Sequence, residues 1–241
     1  MTDIMPTLGN NHPMTGMARG PQAKGAPRVR TLPSVSWLFW TIRLLVVAPA
    51  AMIGQIINQW KEPLLWPATL ALICIALAGA AGTRIASARL ASAAFWAATF
   101  GTAVLTTVLA ERVDLTLGIG DIPAGLHLAA ILILCFVLDY RLTGTVATLP
   151  LERRQEPFFW MLAVLAQMLG SAVADWALDP GGPGAGPTFG VLAAALLVVT
   201  TLHSRRPASS AILFWAGIVI AAAAGALGPQ MVWDGVSAAI R

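Results

Sequence analysis

Long apolar runs alternate along this chain with short polar breaks. The runs occupy roughly 37–58, 64–82, 91–110, 123–139, 158–177, 187–203 and 210–228. Each approaches the ~20 residues that a helix rising ~1.5 Å per residue needs to cross ~30 Å of hydrocarbon. The pattern predicts an all-α polytopic integral membrane protein of about seven transmembrane helices. Runs four and six are the shortest, so they are expected to stand less tilted or to extend into their flanks. Residues 1–33 are rich in Gly, Pro, Asn and Met and hold no apolar stretch long enough for a signal-peptide core. They read as a disordered basic cytoplasmic tail ahead of a transmembrane domain at 34–241.

Composition strengthens the membrane reading. Of 241 residues, 57% are apolar and 11% charged, against roughly 25% charged in an ordinary soluble domain. The pI near 9.8 brings nucleic acid to mind, but the basic residues are split among separate loops and form no stripe, so no nucleic-acid partner is expected. Their distribution instead sets an orientation, because Lys and Arg are retained on the cytoplasmic side. With the tail inside, that side receives Arg19, Lys24, Arg28, Arg30, Arg43, Arg84, Arg89, Arg141, Arg153, Arg154, Arg205 and Arg206, twelve in all, and the far side receives only Lys61, Arg112 and Arg241. The N-terminus is therefore expected inside and the C-terminus outside. The tail cations could add ~1 kcal/mol each at an anionic lipid surface. Cys74 and Cys135 fall within apolar runs and read as small packed side chains.

The helices also repeat. A Phe-Trp pair opens the first, third, fifth and seventh runs, at Phe39 and Trp40, Phe95 and Trp96, Phe159 and Trp160, and Phe214 and Trp215, at intervals of 56, 64 and 55 residues. Interfacial Trp is common in membrane proteins, but four pairs in register point to internal duplication. Fifteen residues after each Trp stands a polar side chain: Gln55, Glu111, Asp175 and Gln230. Two helices per unit make the units parallel repeats, about 34–84, 89–142, 154–206 and 208–241, the last without its second helix. The four polar positions are then expected at one depth, ~22 Å from the cytoplasmic Trp.

A Phe-Trp start, a Thr-Thr stretch and then Glu and Asp three apart resemble the repeat of a bacterial family of uncharacterised membrane-anchored proteins, filed as a domain of unknown function. The second unit carries the resemblance best, in FWAATFGTAVLTTVLAERVDLTLGIGD, through Phe95, Trp96, Thr106, Thr107, Glu111 and Asp114. The third unit, FFWMLAVLAQMLGSAVADW, is similar to later repeats of that family, in which an Asp follows a Gly-containing stretch. The first unit departs from the pattern, with Gln55 and Asn58 in place of the acids, and the fourth ends early. The resemblance implies a polytopic fold in a bacterial inner membrane and supplies no reaction.

Glu111 and Asp114 share a helical face with Thr107 one turn earlier, if the third helix runs past residue 110. Two carboxylates and a hydroxyl suit a hard cation or a proton relay, and Asp121 and Asp175 could complete such a site. The same residues also fit a solvated outer loop, and Asp175 also fits an interfacial carboxylate facing water. Gln55, Asn58 and Gln230 read as interhelical glue. Pro49 removes a donor in the middle of the first helix, for a structural bend or for an opening hinge. Small-residue stretches, Ala78 to Gly82 and Gly217 to Gly225, allow close packing within a protomer or in a homo-oligomer.

His127 and His203 are expected toward opposite faces, so they do not form a metal or haem pair, and no cofactor is expected. DPGGPGAG at 179–186 lacks a phosphate loop's Lys-Ser/Thr ending and reads as a flexible outer loop. The absence of GxSxG, HExxH and CxxC leaves enzymatic function without a sequence signature. Two functions follow from these readings. The first is a small cation or proton-coupled transporter or channel with an acidic outer vestibule. The second is a non-transporting membrane regulator that acts through the tail and cytoplasmic loops.

Overall fold

In the computed structural model, the residues described are 33–58, 67, 71, 88–117, 121–149, 155–205 and 210–240, with side chains for all but 88–90, 111–123, 210 and 232–240. Among them are six helices: α1 Trp37–Asn58, α2 Ala88–Leu117, α3 Asp121–Thr143, α4 Glu156–Leu178, α5 Ala185–Arg205 and α6 Ser210–Ile240. Each contains a segment long and apolar enough to cross a membrane, the architecture of a multi-pass membrane protein. The second predicted run, 64–82, lies outside the described residues apart from two isolated positions.

Local chemistry sets several helix ends. Ser36 accepts the Phe39 N–H on its Oγ at 3.4 Å and the Trp40 N–H on its carbonyl at 3.3 Å, which caps α1. Gly144, at φ +82°, closes α3 by donating its N–H to the Tyr140 carbonyl at 2.9 Å. Pro157 sits in the first turn of α4, where no intrahelical donor is required. Polar flanks had hidden the ends of the short runs: α3 has 23 residues and α5 has 21. DPGGPGAG, expected as a flexible loop, is a compact turn, in which the Gly184 N–H meets the Ala177 carbonyl at 2.9 Å and the Gly182 N–H meets the Asp179 carbonyl at 2.8 Å.

Four of the helices form the core. α1 packs on α2, α2 on α4, α4 on α6 and α6 on α1, so the four close into a ring. α3 lies against α4, and α5 lies mainly against α6. Burial follows this division: 56% of the α2 and α4 spans and 61% of the α6 span are buried, against 11% for α3 and 17% for α5. The exposed faces of the outer helices carry Ile133, Leu134, Val191 and Leu197, the apolar surface that hydrocarbon solvates and water does not.

Close contacts show that the core helices run parallel. α1 and α6 meet through Trp40 at Gly217 and, further along both helices, through Val47 at Gly225. α4 and α6 meet at Phe159 and Phe214 and again at Gly170 and Ala222. α1 and α2 meet at Phe39 and Phe95 and again at Gly54 and Thr107. α2 and α4 share Phe95 with Phe159 and then Thr102 with Gln167. In every pair the second contact lies later along both chains. The outer helices run the other way, since Phe136, near the end of α3, stacks on Trp215, near the start of α6.

Candidate functional site

The four Phe-Trp pairs converge at one end of the core. Phe39, Phe95, Phe159 and Phe214 are each at most 2% exposed. Their centroids form a closed circuit with steps of 6.3, 6.2, 6.1 and 6.2 Å. Each Phe also meets its own Trp edge-on at 5.2 to 5.4 Å and the Trp of the next core helix at 5.3 to 6.1 Å. The ring closes the core axis at this level. Each pair lies within the first three turns of its helix and in none at the first residue: α2 begins seven residues before Phe95 and α6 four before Phe214. Nor do these side chains form an interfacial belt. Trp40 and Trp215 are buried, and Trp160 is half-buried, because packing between four aromatic-bearing helices removes them from the bilayer surface.

Beyond the ring the core turns polar on one side. Four residues past each ring Phe stand Arg43, Thr99, Ala163 and Ile218, a layer ~6 Å further along the axis. Arg43 and Thr99 are each 2% exposed. One turn further, the Gln167 amide donates to Thr102 Oγ1 at 3.2 Å and to the Ala163 carbonyl at 3.1 Å, bridging α4 to α2. Thr106 follows on the same α2 face, also buried. Thr99, Thr102 and Thr106 donate their hydroxyls back to Phe95, Thr99 and Ala103 carbonyls at 2.9, 3.0 and 3.0 Å. Thr102 Oγ1 already accepts from Gln167, and the hydroxyl oxygens of Thr99 and Thr106 can still accept. Arg43 Nε and Nη2 and Gln167 Oε1 are buried without a hydrogen-bond partner.

The residues singled out from sequence lie at the other end of the core or in its seams. α2 is helical through Leu117, so Glu111 and Asp114 sit on helical backbone, and Asp121 begins α3. The side chains of these three acids lie outside the described residues. Thr107 is committed to the α1–α2 seam, with its hydroxyl on the Ala103 carbonyl at 3.1 Å and its Cβ against Gly54. Asn58 donates to the Thr107 carbonyl at 3.4 Å, an interhelical bond of the kind expected of it. Gln55 and Gln230 are half-buried, and Asp175 is exposed near the end of α4. Pro49 is exposed, and α1 continues as helix on both sides of it. Among the described residues, no group of three or more His, Cys, Asp or Glu side chains is placed to hold a metal. His127 near the start of α3 and His203 near the end of α5 occupy opposite ends of the molecule.

Three buried charged residues escaped the sequence reading: Arg43, Asp139 and, at the start of α4, Glu156. Arg43 was counted only for orientation, although its spacing of four from Phe39 already put it on the inward face. Asp139 is 0% exposed near the end of α3. Its carboxylate accepts the Ala147 N–H at 2.7 Å and the Thr143 hydroxyl at 3.1 Å, folding the following loop back over the helix end. The Ala147 carbonyl then receives Trp215 Nε1 at 3.0 Å, which ties this loop to the aromatic ring. Nothing in the spacing around Asp139 announces a loop that returns eight residues later.

Grooves among the described residues also lie outside the core. One, about 380 Å³, runs between α3 and α6 and is wholly apolar, with Leu132, Phe136, Trp215 and Val219 among its walls. Another, about 320 Å³, joins Ser36, Trp37 and Trp40 to Thr200, His203 and Ser204. Comparison of the chain with protein-family models, curated proteins and solved structures finds no match.

Proposed function

We propose that this protein is a small proton- or cation-coupled transporter of the bacterial inner membrane, with seven helices and its solute path between the four core helices. One observation carries the reading: a file of buried polar side chains, Arg43, Thr99, Thr102, Thr106 and Gln167, is enclosed by four parallel helices of membrane-spanning length. Polar groups are expensive in hydrocarbon, and where a bundle encloses them they commonly mark a pathway. The aromatic ring serves as the closed gate of that path, and Pro49 as the place where α1 yields. Asp175, with Glu111, Asp114 and Asp121, forms the outer vestibule that gathers the coupling cation or proton.

Electrostatics constrains how the cation moves. A unit charge ~4 Å from an unpaired guanidinium is repelled by about 4 kcal/mol at an effective dielectric constant of ~20. A lone cation therefore does not pass Arg43; it passes beside an opposite charge. The near-equal steps of the aromatic ring support four duplicated units. The parallel run of α1 and α2 supports a seventh helix between them, since two parallel neighbours need a return passage. With Arg43 in the core, the remaining basic residues still divide eleven to three, which supports an N-terminus inside.

Light-scattering measurements on proteoliposomes loaded with impermeant solute test the proposal. Influx of sodium or ammonium salts of small anions should swell them faster than protein-free vesicles. Glu111→Gln and Asp175→Asn should abolish the difference, whereas removal of residues 1–30 should leave it intact. No swelling above the protein-free rate with any salt, from protein that is folded and inserted, selects the regulator acting through the tail instead.

A further inference from the structure

The two orphaned nitrogens of Arg43 are not an arbitrary pair. Nε and Nη2 form one edge of the guanidinium, the side-on fork whose two nearly parallel N–H groups match two oxygens bonded to one atom. An arginine held in the core for structural reasons would have that fork filled by a carboxylate or by backbone carbonyls. Here the fork is buried, complete and without an acceptor among the described residues, and the side chain is 2% exposed. A buried charge with no partner is the costly half of an ion pair. An anion held on that fork would complete the pair.

We infer that the core of this bundle binds a small monovalent oxyanion, of the bicarbonate or short-carboxylate class, on the Nε–Nη2 edge of Arg43. The inference deepens the transport reading and rests on it: the oxyanion is the opposite charge that travels with the coupling cation. A halide offers one centre and leaves half of the fork unsatisfied, whereas a planar two-oxygen group fills it. Gln167 supplies the second requirement. Its Oε1 is buried without a donor, so it accepts a hydroxyl hydrogen of the ligand or of an accompanying water. The layer is otherwise walled by Ala163 and Ile218, and the core helices close up again at Gly170 and Gly225, about two turns further on. A diacyl lipid headgroup does not fit beneath the closed aromatic ring, so the source is a free anion.

The site is tested on the purified full-length protein in detergent, by melting temperature as sodium chloride is replaced with sodium formate, bicarbonate or nitrate at constant ionic strength. A ligand at a hundredfold excess over its dissociation constant is expected to raise the wild-type melting temperature by ~5–10 °C. Arg43→Gln should melt above wild type in chloride alone and show no response to oxyanions, so that the two curves cross as formate is added. Arg43→Lys keeps the charge without the fork and should respond much less than wild type, which provides a readout if the glutamine variant does not fold. Equal effects of formate and chloride on wild type, or an oxyanion response unchanged in Arg43→Lys, overturns the site. The liposome measurement separates the two ideas. Arg43-dependent stabilisation without swelling sinks transport and leaves an anion sensor; swelling that is the same in Arg43→Lys sinks the oxyanion site and leaves transport.

Discussion

Gly170 is the tightest backbone crossing between α4 and α6. A Cβ added there would lie 2.6 Å from the Ala222 Cβ, 2.7 Å from the Val219 carbonyl oxygen and 2.9 Å from the Ala223 nitrogen. Two of these are backbone atoms and cannot rotate away. Restoring 3.4 Å, the lower edge of ordinary contact, from 2.7 Å requires the helices to part locally by 0.7 Å. Overpacking by a group of this size costs ~1–3 kcal/mol. At ~2–4 °C per kcal/mol for a chain of this size, Gly170→Ala should lower the melting temperature by roughly 2–12 °C. Gly190→Ala is the matched control, because Gly190 is also helical but has nothing within 4 Å of the added Cβ. There the helix gains ~0.5–1 kcal/mol from the lost backbone freedom, and the melting temperature should rise. Both are read by intrinsic tryptophan fluorescence in one detergent. If Gly170→Ala melts at or above wild type, the α4–α6 crossing is not a backbone contact, and the parallel core argued from it loses a principal support.

Phe159→Ala breaks two of the four steps of the aromatic circuit and should cost ~3–5 kcal/mol, with a loss of near-ultraviolet circular dichroism that a lipid-facing Leu197→Ala does not reproduce. Asp139→Ala leaves the Ala147 N–H without an acceptor and should cost ~1–3 kcal/mol; Asp139→Asn, which keeps one acceptor oxygen, should cost less in the same unfolding measurement. In a background without Cys74 and Cys135, Asp179→Cys and Ser204→Cys sit at opposite ends of α5, both exposed. On intact cells a membrane-impermeant thiol reagent should label only the first, and labelling of only the second would reverse the proposed orientation.

Much of the fold could be read from the chain because membrane helices obey few rules. Length and apolarity placed α1 at 37–58 to the residue, and the recurrence of Phe-Trp pairs marked the four helices that form the core. The burial of the tryptophans was not legible in any one helix. A Trp near the end of an apolar run usually anchors in the headgroup region, but here each lies beside a Phe, and the pair makes a packing unit that four helices bury together. The acids drew attention because charge is rare in this sequence, yet Asp175 ends up exposed. Arg43 was discounted as one of twelve orienting cations, since charge counting does not ask which face of a helix a residue occupies. The step of four puts it on the face of Phe39, but that this face is inward depends on contacts of Phe39 with Phe95 and Phe214 on other helices. The loop folded around Asp139 was invisible for the same reason.

Four core helices that run the same way also align their peptide dipoles. Each N-terminus carries roughly half a positive charge, and α3 and α5 oppose only part of the sum. Glu156 offsets this in the first turn of α4, but the first turns of α1, α2 and α6 hold no acid. The Phe-Trp end of the bundle is therefore electropositive through its backbone as well as through basic side chains such as Arg141 and Arg205 at the ends of α3 and α5. An anion nearing the aromatic ring from that end is attracted before it meets any charged side chain of the core. Such a field does not titrate and is not removed by substituting Arg43, but it has no fork, so it draws chloride and oxyanions alike and leaves the choice between them to the side chain.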